Sequence, residues 1–364
     1  MENPTVGIMT LYTHGQTFDK EELAYFSRLT ATGKELGLGV FVFDPSDAHA
    51  DRRQIRSHRY DLSKQEWQQE WLPFPDTVYD RCRAQRSVRF KEMRRFRSRF
   101  SKLVYLNHPL SSKWGNQIIL ERNQAIYPYL PHTRKYQGLT DLREFINQFP
   151  LVYLKPIDGS GGRGIVRITR GEAGNCKLEG RDASRRIIVG SKIDIRAVPR
   201  RLSGWGLASR YLIQQGIPLE LDDGRVHDFR LLIQKNGLGL WQVTGCAGRI
   251  GGGRSVTSNL HGGGEAVAFT ELLRIRGLSA DKIAGIKQDM EQLAHLTAVQ
   301  LEKKFGRLCE LALDLAVGPD NRIWLLEVNP KPSREIFRLI GDHETYQLAL
   351  RRPLEYARWL ALHK

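Results

Sequence analysis

Three oxygen-bearing side chains in one short stretch pose the first chemical question. Residues 310–333 read ELALDLAVGPDNRIWLLEVNPKPS, two apolar runs with a turn between them, and they carry Asp314, Glu327 and Asn329. Side chains alternate faces along a strand, so Glu327 and Asn329 point the same way. A two-residue turn at Asp320-Asn321 sets Asp314 directly across from Glu327. A four-residue loop keeps the same face, whereas a three-residue loop breaks the pairing. Two carboxylates and an amide gathered on a greasy face would repel and lose hydration without compensation. A hard divalent cation with oxygen ligands supplies that compensation. The alternative is an exposed sheet face where the acids simply meet water.

A second stretch is suited to phosphate chemistry. The strand-like run LVYLKPID (151–158) carries Lys155 up to GSGGRG (159–164). The glycine spacing matches a dinucleotide-binding fingerprint, but that fingerprint must open a helix. Here IVRITRG follows, β-branched and alternating, so the glycines cap a β-hairpin and the dinucleotide reading is excluded. A P-loop motif is absent as well. What remains is Gly159, Ser160, Gly161, Gly162 and Gly164, rich in backbone N–H groups, beside a lysine point charge; such a loop can wrap phosphates. A plain hairpin tip with an edge lysine is the bland alternative. Further on, YLIQQGIPLELDDGRVHDFRLLIQ (211–234) runs a strand to Gln214-Gln215, loops past Ile217, and returns with Asp228 and Arg230 on one face. Arg249 ends the next strand, and Asn259 sits in the glycine-rich loop after it.

These groups need elements to hold them. TVGIMTLY (5–12), GLGVFVFDPSD (37–47) and DTVYDRC (76–82) read as buried strands, with a helix from Lys20 to Gly37 between the first two. That alternation predicts a small α/β domain on a parallel sheet, closed by LVYLNHPL (103–110). Ser279 precedes a helix with Ile283, Ile286, Met290 and Leu293 at helical spacing, ended at Gly306. The tail from 342 to 364 reads as a closing helix.

The 364 residues suffice for two or three domains. With 41% hydrophobic and 26% charged residues the composition is that of a soluble globular protein, and no apolar run is long enough to span a bilayer. The first residues lack the pattern of a signal peptide. Cys82, Cys176, Cys246 and Cys309 are scattered without metal spacing, which points to reduced thiols in a cytoplasmic setting. The net charge is +16, and RCRAQRSVRFKEMRRFRSRF (81–100) alone holds nine Lys or Arg. Such a segment can grip nucleic acid or another anionic surface, or be one solvated helix face with Val88, Met93 and Phe96 turned inward. Stacking aromatics are not interleaved as a single-strand binder requires, so nucleic acid is not the favoured partner.

Together, a lysine before a glycine hairpin, a strand–linker–strand, Arg and Asn around a glycine-rich loop, and D-x(12)-E-x-N resemble the ATP-grasp superfamily. YLKPIDGSGGRGI, HDFRLLIQ and WLLEVNPKPS resemble most the YheC/YheD group of endospore coat-associated ATP-grasp proteins, over roughly residues 100 to 340. SNLHGGG also resembles a loop of ligases that add glutamate to ribosomal protein. The resemblance implies an α/β (α+β) ATP-grasp fold: an N-terminal parallel-sheet α/β domain (1–108), a central lid domain (109–212) and a C-terminal antiparallel-sheet domain with the metal site (213–364). It implies that Lys113 and Lys155 bind phosphate under the glycine loop. Gln214 and the backbone of Gln215 and Ile217 would meet adenine, although many relatives carry a glutamate in this linker. Asp228 would bind ribose, with Glu220 and Asp222 as competitors. Arg230 and Arg249 would meet phosphates, Asn259 would hold an acyl phosphate, and Asp314, Glu327 and Asn329 would hold magnesium, or manganese. The implied activity is an ATP-dependent carboxylate–amine ligase acting through an acyl phosphate on a small-molecule or peptide acid and amine. A nucleotide-binding spore-coat or assembly protein with little turnover is the second expectation. The implied setting is cytoplasmic, or spore-associated by the resemblance, without a membrane partner.

Overall fold

The structure, a computed structural model, describes residues 3–363 except 13–17, 83–87, 160–161, 185, 254 and 261–262, and omits the side chains of 88–89. Among the described residues the strands form three sheets. The first has β1 (Thr5–Met9), β2 (Gly39–Phe43), β3 (Ala48–His49), β4 (Gln54–Asp61), β5 (Glu66–Pro73), β6 (Thr77–Asp80) and β7 (Val104–Tyr105), in the order β3-β4-β2-β1-β6-β7 with β5 on β4. Its centre is parallel, β2-β1-β6-β7, as the strand–helix alternation predicts. The β4–β5 hairpin is antiparallel and goes unseen in the sequence. Its residues are mostly polar and few are buried, so neither strand shows apolar alternation.

The second sheet has β8 (Thr133–Lys135), β9 (Leu151–Pro156), β10 (Val166–Arg170), β11 (Asn175–Arg181), β12 (Ile187–Asp194) and β13 (Tyr211–Gln215), ordered β12-β11-β10-β9-β13-β8. β9 and β10 pair antiparallel, so residues 157–165 are a hairpin connection. β13 stays in this sheet through Gln215, past the expected domain boundary at 212.

The third sheet is antiparallel throughout: β14 (His227–Lys235), β15 (Trp241–Ile250), β16 (Glu265–Ala268), β17 (Glu310–Val317) and β18 (Ile323–Asn329), ordered β16-β15-β14-β17-β18. Alternation divides its faces. Phe229, Leu231, Ile233, Leu311, Leu313 and Leu315 pack against Ile283, Ile286, Met290 and Leu293 of the long helix Ala280–Phe305. Burying each such Leu or Ile stabilises by roughly 1.5–3 kcal/mol, so this face anchors the sheet. The opposite face carries Asp228, Arg230, Gln234, Glu310 and Asp314, and it is the face that matters for chemistry.

The packing also crosses the expected domain limits. Leu120, Ile126 and Leu130 belong to the core of the third sheet, although they fall within 109–212. The C-terminal helix His343–Leu362, capped by Asp342, packs Leu350, Tyr356 and Leu360 with Val6, Ile8, Phe26 and Leu29 of the first domain. The chain's two ends therefore share one core.

Candidate active site

Neighbouring strands bring the polar groups of the third sheet into two rows. Arg230 on β14 faces Asp314 on β17, which faces Glu327 on β18. Two residues along, Asp228 on β14 faces Arg249 on β15. Asn329 sits on the Asp314 face and donates from Nδ2 to Asp314 Oδ2 at 3.4 Å. The Asp314↔Glu327 pairing is the one a two-residue turn would give, but the hairpin reaches it by another route. β17 and β18 pair as Val317↔Ile323, and the Gly318 N–H donates to the Arg322 carbonyl at 2.8 Å, leaving the three-residue loop Pro319-Asp320-Asn321, with Asn321 in the left-handed region at φ 65°. Alone, that loop would set Asp314 against Leu326. A β-bulge between the Leu315↔Leu325 and Asp314↔Glu327 pairs adds the missing residue and restores Glu327 to the site face.

Counter-charge surrounds each acid. Arg230 donates from Nε to Asp314 Oδ1 at 2.6 Å and from an Nη to Oδ2 at 3.1 Å. Arg249 grips both oxygens of Asp228, at 2.7 and 2.6 Å, and its Nη2 lies 3.2 Å from Asp314 Oδ2. Burial pushes the Asp314 carboxyl up, but the two guanidiniums outweigh it and hold it below the usual carboxylate range. Asp228 is 7% exposed with both oxygens bonded to Arg249, whereas Glu220, paired with Arg167, and Asp222 are exposed. Lys113, in the first turn of the helix Lys113–Glu121 capped by Ser112, puts Nζ 3.2 Å from Glu327 Oε2.

The second sheet contributes Lys155 from β9. Its ammonium donates to Gln214 Oε1 at 2.5 Å on the adjacent strand β13, and Gln214 Nε2 donates on to Thr133 Oγ1. Burial brings the Lys155 ammonium down to about 8; Glu327 opposes the shift and Lys113 adds to it. The Gln215 N–H donates to the His132 carbonyl at 2.8 Å and so faces its own sheet, not a ligand. Ile217, Ala316 and Trp324 form a small apolar core beside this linker, with Leu219 and the bulge residue Leu326 against it. Gly162 has φ +72°, and a Cβ there would stand 2.6 Å from Asn259 Nδ2, so the glycine loop meets the Asn259 segment. Gly164, φ +69°, lies equally close under the Tyr211 hydroxyl. Gly159 closes over Pro156, while Ser160 and Gly161 lie outside the described residues.

Sequence reasoning missed a further set. Lys331 continues the alternation from Glu327 and Asn329, and its Nζ bonds Asp80 Oδ1 at 2.7 Å and the Cys82 carbonyl. Arg97 bonds the other Asp80 oxygen. Four residues back from Asp314, Glu310 is sealed between Arg81, Arg334, Tyr79 and Gln234. These bonds fasten the first domain to the polar face of the third sheet. The even spacing of Glu310, Asp314, Glu327, Asn329 and Lys331 was the available signal.

No group of three or more His, Cys, Asp or Glu gathers among the described residues, so there is no all-protein metal cage. Asp314, Glu327 and Asn329 supply two carboxylates and an amide oxygen beside ammonium and guanidinium groups. That partial oxygen set fits Mg²⁺, which keeps few protein ligands and shares itself with phosphate oxygens.

A family model described as YheC/D-like ATP-grasp matches residues 102–360. The chain is 25% identical to the endospore coat-associated protein YheC of Bacillus subtilis (strain 168) over 94% of this chain and 93% of that one. It is 26% identical to YheD of the same organism over 98% of this chain and 79% of that one. Among solved structures it is similar to the D-cycloserine synthetase DcsG, with TM-score 0.55, 14% identity and 99% of each chain covered.

Proposed function

This chain belongs to the YheC/D-like ATP-grasp family, and on that premise we propose that it is an ATP-dependent carboxylate–amine ligase. The observation that carries the reading is the row Arg230–Asp314–Glu327 with Arg249, Lys113 and Lys155 around it. Cations suited to a triphosphate and oxygen donors suited to a metal share one face of one sheet.

In this reading the adenine ring lies on Ile217, Leu219, Trp324 and Leu326, and Gln214 meets it through its side-chain amide. Lys155 and Lys113 bind phosphate oxygens while the glycine loop closes over them. Asp314, Glu327 and Asn329 would hold Mg²⁺, which neutralises phosphate charge when bound. Arg249 and Arg230 face the transferring phosphoryl group and stabilise the charge that develops on it. The γ-phosphoryl passes to a substrate carboxylate with loss of ADP. An amine then attacks the acyl carbon, phosphate leaves, and a proton is released from the new amide nitrogen. No protein nucleophile is required; positioning and charge carry the reaction. In this reading Asn259 holds the acyl phosphate.

ADP release measured across a panel of carboxylates and amines tests the reading. Wild type should turn ATP over slowly alone and many-fold faster with its own acid and amine, because a closed site keeps water from the γ-phosphate. Tight, metal-dependent nucleotide binding that no acid stimulates would replace the ligase with a nucleotide-binding assembly protein.

A further inference from the structure

The helix Val88–Arg99 presents a row of charge that the nucleotide site does not use. Lys91, Arg94, Arg95 and Arg99 are exposed, and so is Lys102 just beyond the helix. Lys91, Arg95 and Arg99 recur at four-residue spacing along one face, Arg94 flanks them three residues after Lys91, and Lys102 follows just past the helix end. Met93 and Phe96 are buried on the other face. Glu92 is the only acid between 88 and 102, and it is part-buried. None of the five exposed cations has an ion-pair partner among the described residues, whereas Arg97 of the same helix turns inward onto Asp80. Like charges at i,i+4 destabilise a helix, so an uncompensated row is held at a cost that packing underneath must offset.

The row is also wired to the reaction centre. Arg97 bonds Asp80 and the Asn107 carbonyl, Asp80 bonds Lys331, and Lys331 follows Asn329 by two residues. We propose that this cationic row docks an acidic polypeptide and that the polypeptide supplies the carboxylate activated at the nucleotide site. The proposal rests on the ligase reading. Side chains on one face of an extended peptide repeat at about 6.6–6.8 Å, close to the ~5–6 Å between cations on successive helical turns. Single-stranded nucleic acid fits less well. Phe96 is buried and Phe90 and Phe100 pack onto the domain core, which leaves no stacking platform beside the row. An anionic membrane fits less well too, since Ser98 and Ser101, and no apolar side chain, are exposed within the row.

The test measures binding of a fluorescent oligo-α-glutamate of about ten residues, long enough at ~3.3 Å per residue to span the row. Anisotropy is read on the full chain at low and at physiological salt. Arg94→Glu/Arg95→Glu/Arg99→Glu should weaken binding ~10-fold or more, and the three-site Arg→Gln variant should weaken it less. Reversal of Arg200 and Arg201, exposed on the second domain, should leave it near wild type. Affinity for a nucleotide analogue should be unchanged in every variant. Equal oligoglutamate binding by wild type and the Arg→Glu variant overturns the proposal. So does tighter binding of a single-stranded oligonucleotide of equal charge, or of phosphatidylglycerol vesicles, at the same salt. Docking through the row, with no ADP release stimulated by any acid and amine of the panel, retires the ligase reading and leaves the docking surface standing. Stimulation by acidic peptide that the Arg→Glu variant keeps in full retires the docking surface and leaves the ligase.

Discussion

Replacing Arg249 by alanine should unfold the protein more readily as well as impair phosphoryl transfer. Arg249 is 5% exposed and holds both oxygens of Asp228 and one of Asp314. Its loss leaves the Asp228 carboxylate buried with no counter-charge, while Asp314 keeps Arg230. Breaking a buried pair from one side costs about 3–5 kcal/mol, a large share of the ~5–15 kcal/mol that a domain has in total. Removing both partners, in Arg249→Met/Asp228→Leu, deletes the stranded charge and should recover most of that loss. The assay is urea unfolding without nucleotide, followed by tryptophan fluorescence, since Trp241 and Trp324 lie in the same sheet. Arg249→Ala should move the midpoint far below wild type, with the double variant between them. A single variant within about 1 kcal/mol of wild type, or a double variant no better than the single, would refute the reasoning that the pair is structural. The double variant then isolates catalysis: it should fold yet show no acid-stimulated ADP release.

Three further outcomes follow from the geometry. Glu327→Ala should abolish turnover and cost under about 1 kcal/mol of stability, because its pair with Lys113 is part-exposed; wild-type ADP release in this variant would remove Glu327 from the metal set. Lys155, with its ammonium near 8 in the free protein, should take up a proton when phosphate binds beside it, so nucleotide affinity falls as pH rises through about 8. Calorimetry at pH 9 in buffers of different ionisation heat should detect that uptake in wild type and lose it in Lys155→Met. The same depressed value has an opposite signature without ligand. The unfolded chain binds the extra proton between about 8 and the ordinary lysine range, so the Lys155 contribution to stability rises with pH there; Lys155→Met should flatten that rise in urea midpoints taken at several pH values.

Much of this was legible because local chemistry and fold agreed. Apolar alternation announced β17 and β18, the β-branched run after Gly164 announced a hairpin, and Ser279 and Gly306 bracketed the long helix. Ser279 nevertheless makes no side-chain capping bond, so its position was read correctly for a reason the structure does not use. What stayed hidden is non-local. Which cation meets which acid depends on strand order, and nothing in HDFRLLIQ says that Asp228 will be closed off by Arg249 from the next strand. The β4–β5 hairpin carries almost no apolar period, and the joining of the first domain to Glu310 needs residues more than two hundred positions apart. The bulge is invisible for another reason. Leu325 and Leu326 are the same residue type, so composition cannot reveal which of them is the extra one.

That bulge makes the β17–β18 hairpin sensitive to parity. Its tip has three residues and its second strand has one residue in excess, two odd quantities that cancel. Adding or deleting one residue at the tip leaves the sum odd and turns Glu327 and Asn329 toward the hydrophobic helix, whereas a change of two restores the faces. Length changes that keep Glu327 and Asn329 on the site face are therefore even, or odd with loss of the bulge. A set of tip insertions of one to four glycines should show nucleotide binding that alternates with length, and a smooth decline would mean that the register is held by something other than the count.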